Sequence, residues 1–241
     1  ALMRDQINVL QQVVSENRFA CGISTITDVD GNTYNTVKIG RQCWMKENLR
    51  TTKYADNTAI PVGSTTSNTE PYRYAPNSID SIVCTHGYLY NWPAVMHGGS
   101  SSNAIPSGIQ GICPDGWHVP SDAEWSILTD YVGNQSEYVC DNNSTYVAKA
   151  LASTTGWNAS SYYYPCSPGY SFNSNNATNF SAMPAGYYTG TYYYYCQLSR
   201  FWSSTGQSIS NSFYRDIYNY GSNVSRGMES NSHGYSVRCL R

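Results

Sequence analysis

The sequence is poor in charge and poor in aliphatic bulk. Charged residues make up 12% of the 241 positions and the net charge is -2. With no basic surplus, the chain lacks the electrostatic footprint of a nucleic-acid or anionic-membrane binder. No apolar run is long enough to span a bilayer, so direct membrane insertion is excluded, and no stretch reads as a signal peptide. No CxxC pair occurs, which removes the usual spacing of zinc and thioredoxin chemistry. The acidic residues are scattered through turns and helix starts, so no carboxylate pair of the glycosidase kind can be named. Two loop histidines, His86 and His97, are too few for a metal set, and no cofactor is expected.

Bulk comes instead from 23 Tyr, six Trp and five Phe. Eight cysteines lie at 21, 43, 84, 113, 140, 166, 196 and 239. An even, dispersed set in a Tyr/Ser/Asn-rich chain reads as a disulfide framework formed in an oxidising, extracellular place.

Residues 1–20 differ from the rest. Met3, Ile7, Leu10 and Val14 follow a 4-3-4 spacing, which predicts an N-terminal helix, either packed on its own domain or acting as a short coiled-coil stem. As a stem it is compatible with a homodimer or a homotrimer. Residues 21–241 read as one domain. Asp30-Gly31 predicts a hairpin within Ile26–Ile39, and Trp44 is the anchor of a following strand. Tyr88–Trp92 reads as a short aromatic strand. Ser121 and Glu124 form a capping box that opens a helix over Ser121–Val132, with Asp122 and Glu124 as first-turn acids favoured by the helix dipole. A shorter helix is expected around Tyr146–Ala152. Two further Tyr/Ser/Asn-rich runs follow, holding Tyr162–Tyr164 and Tyr192–Tyr195. Four tyrosines in a row on a strand cannot all face inward, so some are displayed. Cys166 and Cys196 bracket these runs, in a position to pin them together.

The last stretch, Phe201–Cys239, opens on an apolar pair and closes on Gly234-Tyr235-Ser236-Val237-Arg238-Cys239. Between them, residues 203–235 hold nine Ser, four Asn and four Tyr. Tyr offers large amphipathic contact area at low entropic cost, and Ser, Asn and Gly offer adaptable hydrogen bonding. That is the chemistry of a paratope, and a disordered tract would carry fewer aromatics.

Several stretches together resemble the Fibrobacter succinogenes major paralogous domain. They include Thr27–Tyr34, Trp44–Arg50, Cys113–Ser121, Glu124-Trp125, Phe201–Thr205 and Ser236–Cys239. The resemblance covers about residues 25–241. It implies an α+β domain of C-type lectin-like fold, with two helices, a small twisted antiparallel sheet and long irregular loops. It also implies a disulfide between Cys113 and Cys239; the pairing of the other six cysteines does not follow from sequence. Calcium-dependent sugar-binding relatives carry Glu-Pro-Asn or Gln-Pro-Asp and a Trp-Asn-Asp, and none of these occurs. The enzyme relatives, which generate formylglycine, use a cysteine pair that a framework Cys239 does not offer.

The terminal stretch also resembles the variable region of proteins diversified by retroelements, where adenine-directed mutation of an AAC asparagine codon yields Asn, Ser, Tyr, Thr, Asp, His or Ile. That resemblance implies that Ser210, Tyr214, Asp216, Tyr218, Tyr220, Asn223, Ser225, Glu229, Asn231 and His233 are displayed for ligand binding. Phe201-Trp202 and Val237-Arg238-Cys239 would be scaffold. The expected function is non-enzymatic: an extracellular receptor-binding or adhesin module, on a bacterial surface or a phage tail, that recognises a cell-surface protein or glycan. The alternatives are a structural module of a surface fibre and, with least support, a formylglycine-generating-like or carbohydrate-active enzyme.

Overall fold

A computed structural model describes residues 19–161 and 164–241. The heptad-spaced segment, with the helix expected there, lies outside the described residues, as do Tyr162 and Tyr163. The described chain is a mixed α/β structure of short antiparallel ladders and long loops.

Strand β1 (Ile26–Thr27) pairs with β2 (Thr33–Tyr34) across the Asp30-Gly31 turn. Asp28 closes that turn by accepting from the backbone amides of Asp30 and Asn32, as aspartate side chains do in turns. Strand β3 (Thr36–Ile39) then pairs with β4 (Gln42–Met45). The expected aromatic strand is only β6 (Leu89–Tyr90), paired with β5 (Arg73–Tyr74). At Asn91 the chain turns into helix, because the Asn91 carbonyl oxygen of the side chain accepts from the Ala94 amide and Pro93 fits the first turn. Of the four α-helices described, α1 is Val83–His86, α2 is Trp92–Met96, α3 is Asp122–Gly133 and α4 is Ala148–Leu151. The Ser121/Glu124 capping box opens α3 as the sequence predicts. Helix α4 is shorter than the predicted Tyr146–Ala152, since Val147 serves as its N-cap.

Beyond the small β7 (Tyr187–Tyr188) and β8 (Tyr192–Tyr193) hairpin comes the main sheet. It contains β9 (Leu198–Gly206), β10 (Asn211–Tyr218) and β11 (Ser225–Ser230), in the order β11-β10-β9. The C-terminal segment then threads back through the middle of the domain. Tyr235 bridges to Tyr90, Ser236 to Phe201, and Leu240 to both Trp44 and His118. This return path ties the first third of the chain to the last. Cys113–Cys239 fastens it across a sequence separation of 126.

Two aromatic cores flank that segment. One gathers Tyr34, Tyr90, Trp117, Trp202 and Tyr235. The other gathers Trp44, Trp125, Phe180 and Phe201 with Leu128, Leu151 and Ile217. Trp44 and Trp125 lie 4.6 Å apart, and Trp125 and Phe201 5.5 Å. Such pairs each add about 0.5–1.5 kcal/mol beyond area burial. Between the cores lies the fully buried Arg238, donating to Asn48 Oδ1 and to the carbonyls of Met45, Phe180 and Ser181. Burial pushes its guanidinium down to about 9. The four acceptors supply the polar partners that a buried guanidinium requires.

Two further disulfides join Cys21 to Cys43 and Cys140 to Cys166. The second corrects the expected link between Cys166 and Cys196. Lys149 at α4 donates to the carbonyls of Pro165, Ser167 and Tyr170, which draws Cys166 towards the 140–149 segment. Cys84 and Cys196 are free thiols, so the framework uses six of the eight cysteines. Three disulfides fit an oxidising, extracellular compartment. Among the described residues no helix is long and apolar enough to cross a membrane.

Candidate functional site: a tyrosine-lined face

On β10 the residues Ser212, Tyr214, Asp216 and Tyr218 point to one side of the sheet, since strand side chains alternate. Phe213, Arg215 and Ile217 point to the other. The second side is structural. There Arg215 donates to the Asp122 carboxylate and carbonyl, and Arg226 donates to the same carboxylate at 2.9 Å. Asp122 is therefore more than a first-turn acid: it seats the sheet on α3. Glu124 likewise accepts from the Ser121 amide and lies 2.9 Å from His118 Nε2.

The first side is built around Arg200, which register sets opposite Asp216. Its Nε and Nη2 both meet Asp216 Oδ2, at 3.1 and 2.7 Å, and both side chains are buried. The guanidinium lies 4.2 Å from the Tyr214 ring centroid, 4.7 Å from that of Tyr187 and 5.2 Å from that of Tyr235. Burial opposes its charge, but the neighbouring Tyr235 and Asp216 outweigh burial and hold its pKa above the usual guanidinium value. Burial raises the Asp216 carboxyl despite the opposing pull of Arg200. Cation–π contacts of this desolvated kind are worth about 2 kcal/mol.

From that centre a tyrosine layer spreads outward. Tyr187 stacks on Tyr193 at 5.4 Å and on Tyr194 at 5.9 Å; Tyr194 meets Tyr218 edge-on, and Tyr218 lies 5.0 Å from Tyr220. Tyr193, Tyr194 and Tyr220 are more than 40% exposed, while Tyr187, Tyr214 and Tyr218 are half-buried. Tyr194 holds a left-handed backbone (φ 55°), pinned by the Gln197 and Leu198 amides donating to its carbonyl. Such a conformation costs about 1–3 kcal/mol in a non-glycine residue and persists only where the surroundings fix it. Burial raises the Tyr187 and Tyr214 phenols, and Tyr218 reaches about 12. All three are neutral at ordinary pH, able both to donate and to accept.

The residues expected to be displayed divide accordingly. Tyr220, Asn223, Ser225 and Glu229 are exposed, and Ser210, Tyr214, Tyr218 and His233 are partly so. His233 sits 3.7 Å from Glu229. Asp216 and Asn231 are not displayed, at 2% exposure each. Asp216 is consumed by Arg200, and Asn231 folds under the hairpin tip, its amide donating to the Ser210 carbonyl. Phe201, Trp202, Val237, Arg238 and Cys239 are all buried, as scaffold residues should be. Sequence reasoning missed Arg200 and Tyr235. A lone arginine one residue before the Phe201-Trp202 anchor, in a chain with so little charge, was the available signal. His86 and His97 do not converge: His86 packs near Tyr195, and His97 stacks on Tyr54.

Three disulfides thus hold a mixed α/β framework, and a tyrosine layer lies over one side of its main sheet. The chain belongs to the Fibrobacter succinogenes major domain family, whose sequence profile matches residues 37–241. No curated protein and no solved structure gives a match.

Proposed function

We propose that this domain is an extracellular receptor-binding or adhesin module of C-type lectin-like fold. Its partner is a protein or glycan on a cell surface, met on a bacterial surface or from a phage tail. One observation carries the reading: the tyrosines of the 187–194 hairpin and of the 214–220 strand end form one continuous face. Two tracts that are separate in sequence thus converge on one patch. Half-exposed rings, seated on the buried Arg200–Asp216 pair, give amphipathic contact area at low entropic cost. Monomeric proteins rarely leave such aromatic patches open without a use. The return of the C-terminal segment through the domain and the Cys113–Cys239 bond support the lectin-like topology.

The residue palette of 203–235 supports diversification by a retroelement. Its gene is then expected to carry a near-copy of this stretch nearby, differing at adenines. To test recognition itself, an array of bacterial surface proteins and glycans is probed with the wild-type chain and with the Tyr214→Ala/Tyr218→Ala/Tyr220→Ala variant. Binding by the wild type and its loss in a folded variant is the expected result. Equal binding by both would move recognition off this face.

A further inference from the structure

We propose that a cleft beside Trp92 is a second binding site, taking a neutral pyranoside. The cleft measures about 360 Å³ and lies at the Asn211/Ser230 end of the β10–β11 ladder, away from the Tyr218 end. That volume falls in the range of small-ligand sites. Its apolar surface comes from Trp92, Pro71 and Met96, with Ile209 of the β9–β10 tip, 99% exposed, at its rim.

Trp92 is held from two sides. Its indole Nε1 donates to the Ser203 carbonyl and its amide to the Asn231 carbonyl, both at 2.9 Å. The ring is thus fixed before any ligand arrives, which spares the entropic cost of ordering it. A second flat wall is the Tyr54–His97 stack, with centroids 3.6 Å apart and planes within 7°.

The polar groups specify the ligand further. Asn231 Oδ1 and Tyr54 Oη are buried without a hydrogen-bond partner among the described residues, and both residues line this cleft. Buried polar atoms are nearly always satisfied, by protein, water or ligand. The Asn231 side-chain nitrogen reaches the Ile209 carbonyl at 3.4 Å, which leaves its oxygen as an acceptor. Asn68 and Thr58 add neutral amide and hydroxyl groups, and among the described residues no Asp, Glu, Lys or Arg lines the cleft. A phosphate or carboxylate ligand would meet no fixed countercharge there. A pyranose matches both halves. Its C–H face packs on the indole, and its hydroxyls donate to Asn231 and exchange hydrogen bonds with the neutral rim.

The test is saturation-transfer NMR with methyl glycosides of glucose, galactose, mannose and N-acetylglucosamine, each at about 10 mM, enough to fill a millimolar site. It is run on the wild type, on Asn231→Leu, on Asn68→Tyr and on the triple tyrosine variant of the previous section. Asn68 is exposed, so Asn68→Tyr narrows the cleft mouth without entering the core. Transfer to at least one glycoside is expected. Affinity should fall about tenfold or more in both cleft variants, equivalent to about 1.4 kcal/mol, and be unchanged in the triple tyrosine variant. Three results would overturn the proposal: no transfer to any glycoside, binding indifferent to both cleft variants, or binding lost only with the tyrosines. The last would instead place glycoside recognition on the tyrosine face, so the two sites fail separately.

Discussion

Gly227 leaves the space that Tyr214 fills. The two residues pair across β10 and β11, and a Cβ on Gly227 would lie 2.4 Å from the Tyr214 hydroxyl. The ring can lie over the edge strand, with the Arg200 guanidinium against its face, only because position 227 has no side chain. Gly227→Ala is therefore expected to push Tyr214 out of the layer. Ligand binding should weaken, while stability, measured by urea unfolding, changes by about 1 kcal/mol or less because the strand is exposed. Unchanged binding would show that the position of Tyr214 does not matter.

The Arg200–Asp216 pair sets the floor of the same face. Asp216→Ala leaves a buried guanidinium without its carboxylate, and breaking such a pair costs about 3–5 kcal/mol. Asp216→Asn keeps an acceptor in place and should cost less. Urea unfolding of the two variants checks the order; equal and small losses would show that the tyrosines alone satisfy Arg200.

The cysteine assignment predicts two thiols per unreduced, denatured chain. In the native protein Cys84 should be alkylated quickly, since it is exposed. Cys196 should lag, because it is half-buried and burial raises its thiol pKa. Replacing Cys113 and Cys239 with Ser should cost roughly 4–5 kcal/mol, given the length of the loop they close. A count of zero thiols would contradict the assignment by requiring a bond between Cys84 and Cys196.

Acid should weaken the fold above the carboxylate range. Burial lowers the pKa of both His86 and His233 from 6.5. The unfolded chain thus takes up protons more readily than the folded one just below that value. The histidine contribution is complete above pH 6.5 and is lost as pH falls from there through the lowered folded values. Thermal melts from about pH 7.5 to about pH 5 should show a falling midpoint, with a shallower slope in His86→Gln/His233→Gln. A midpoint that holds or rises over this interval would contradict it.

Much of the framework was legible because its signals are local. The Asp30-Gly31 turn, the Ser121/Glu124 capping box and the apolar anchors Trp44, Trp125, Phe201 and Trp202 each announce themselves within a few residues. The Tyr88–Trp92 run reads as strand and is one at Leu89–Tyr90, but its last residue already opens helix α2, as the Asn91 cap and Pro93 signal. The tyrosine face was legible only in pieces. The resemblance to retroelement-diversified proteins put Tyr214, Asp216 and Tyr218 among the displayed residues. It could not show that Arg200 stands opposite Asp216, since that register depends on the length of the β9–β10 loop. Nor could it show that the 187–194 hairpin folds against the same sheet. Asn231 looked like any other member of the polar tract, and its burial follows from contacts with Ile209 and Ser210 at the hairpin tip, far back in the sequence.

The central claim is that two separate tracts make one recognition face. The direct measurement is affinity for a ligand identified on the array, compared among the wild type, Tyr193→Ala/Tyr194→Ala and Tyr214→Ala/Tyr218→Ala. The account predicts that each pair of changes weakens binding by at least about tenfold, the size of a modest hot spot, with the fold and disulfides intact. Binding that depends on one pair and ignores the other, or on neither, would contradict it.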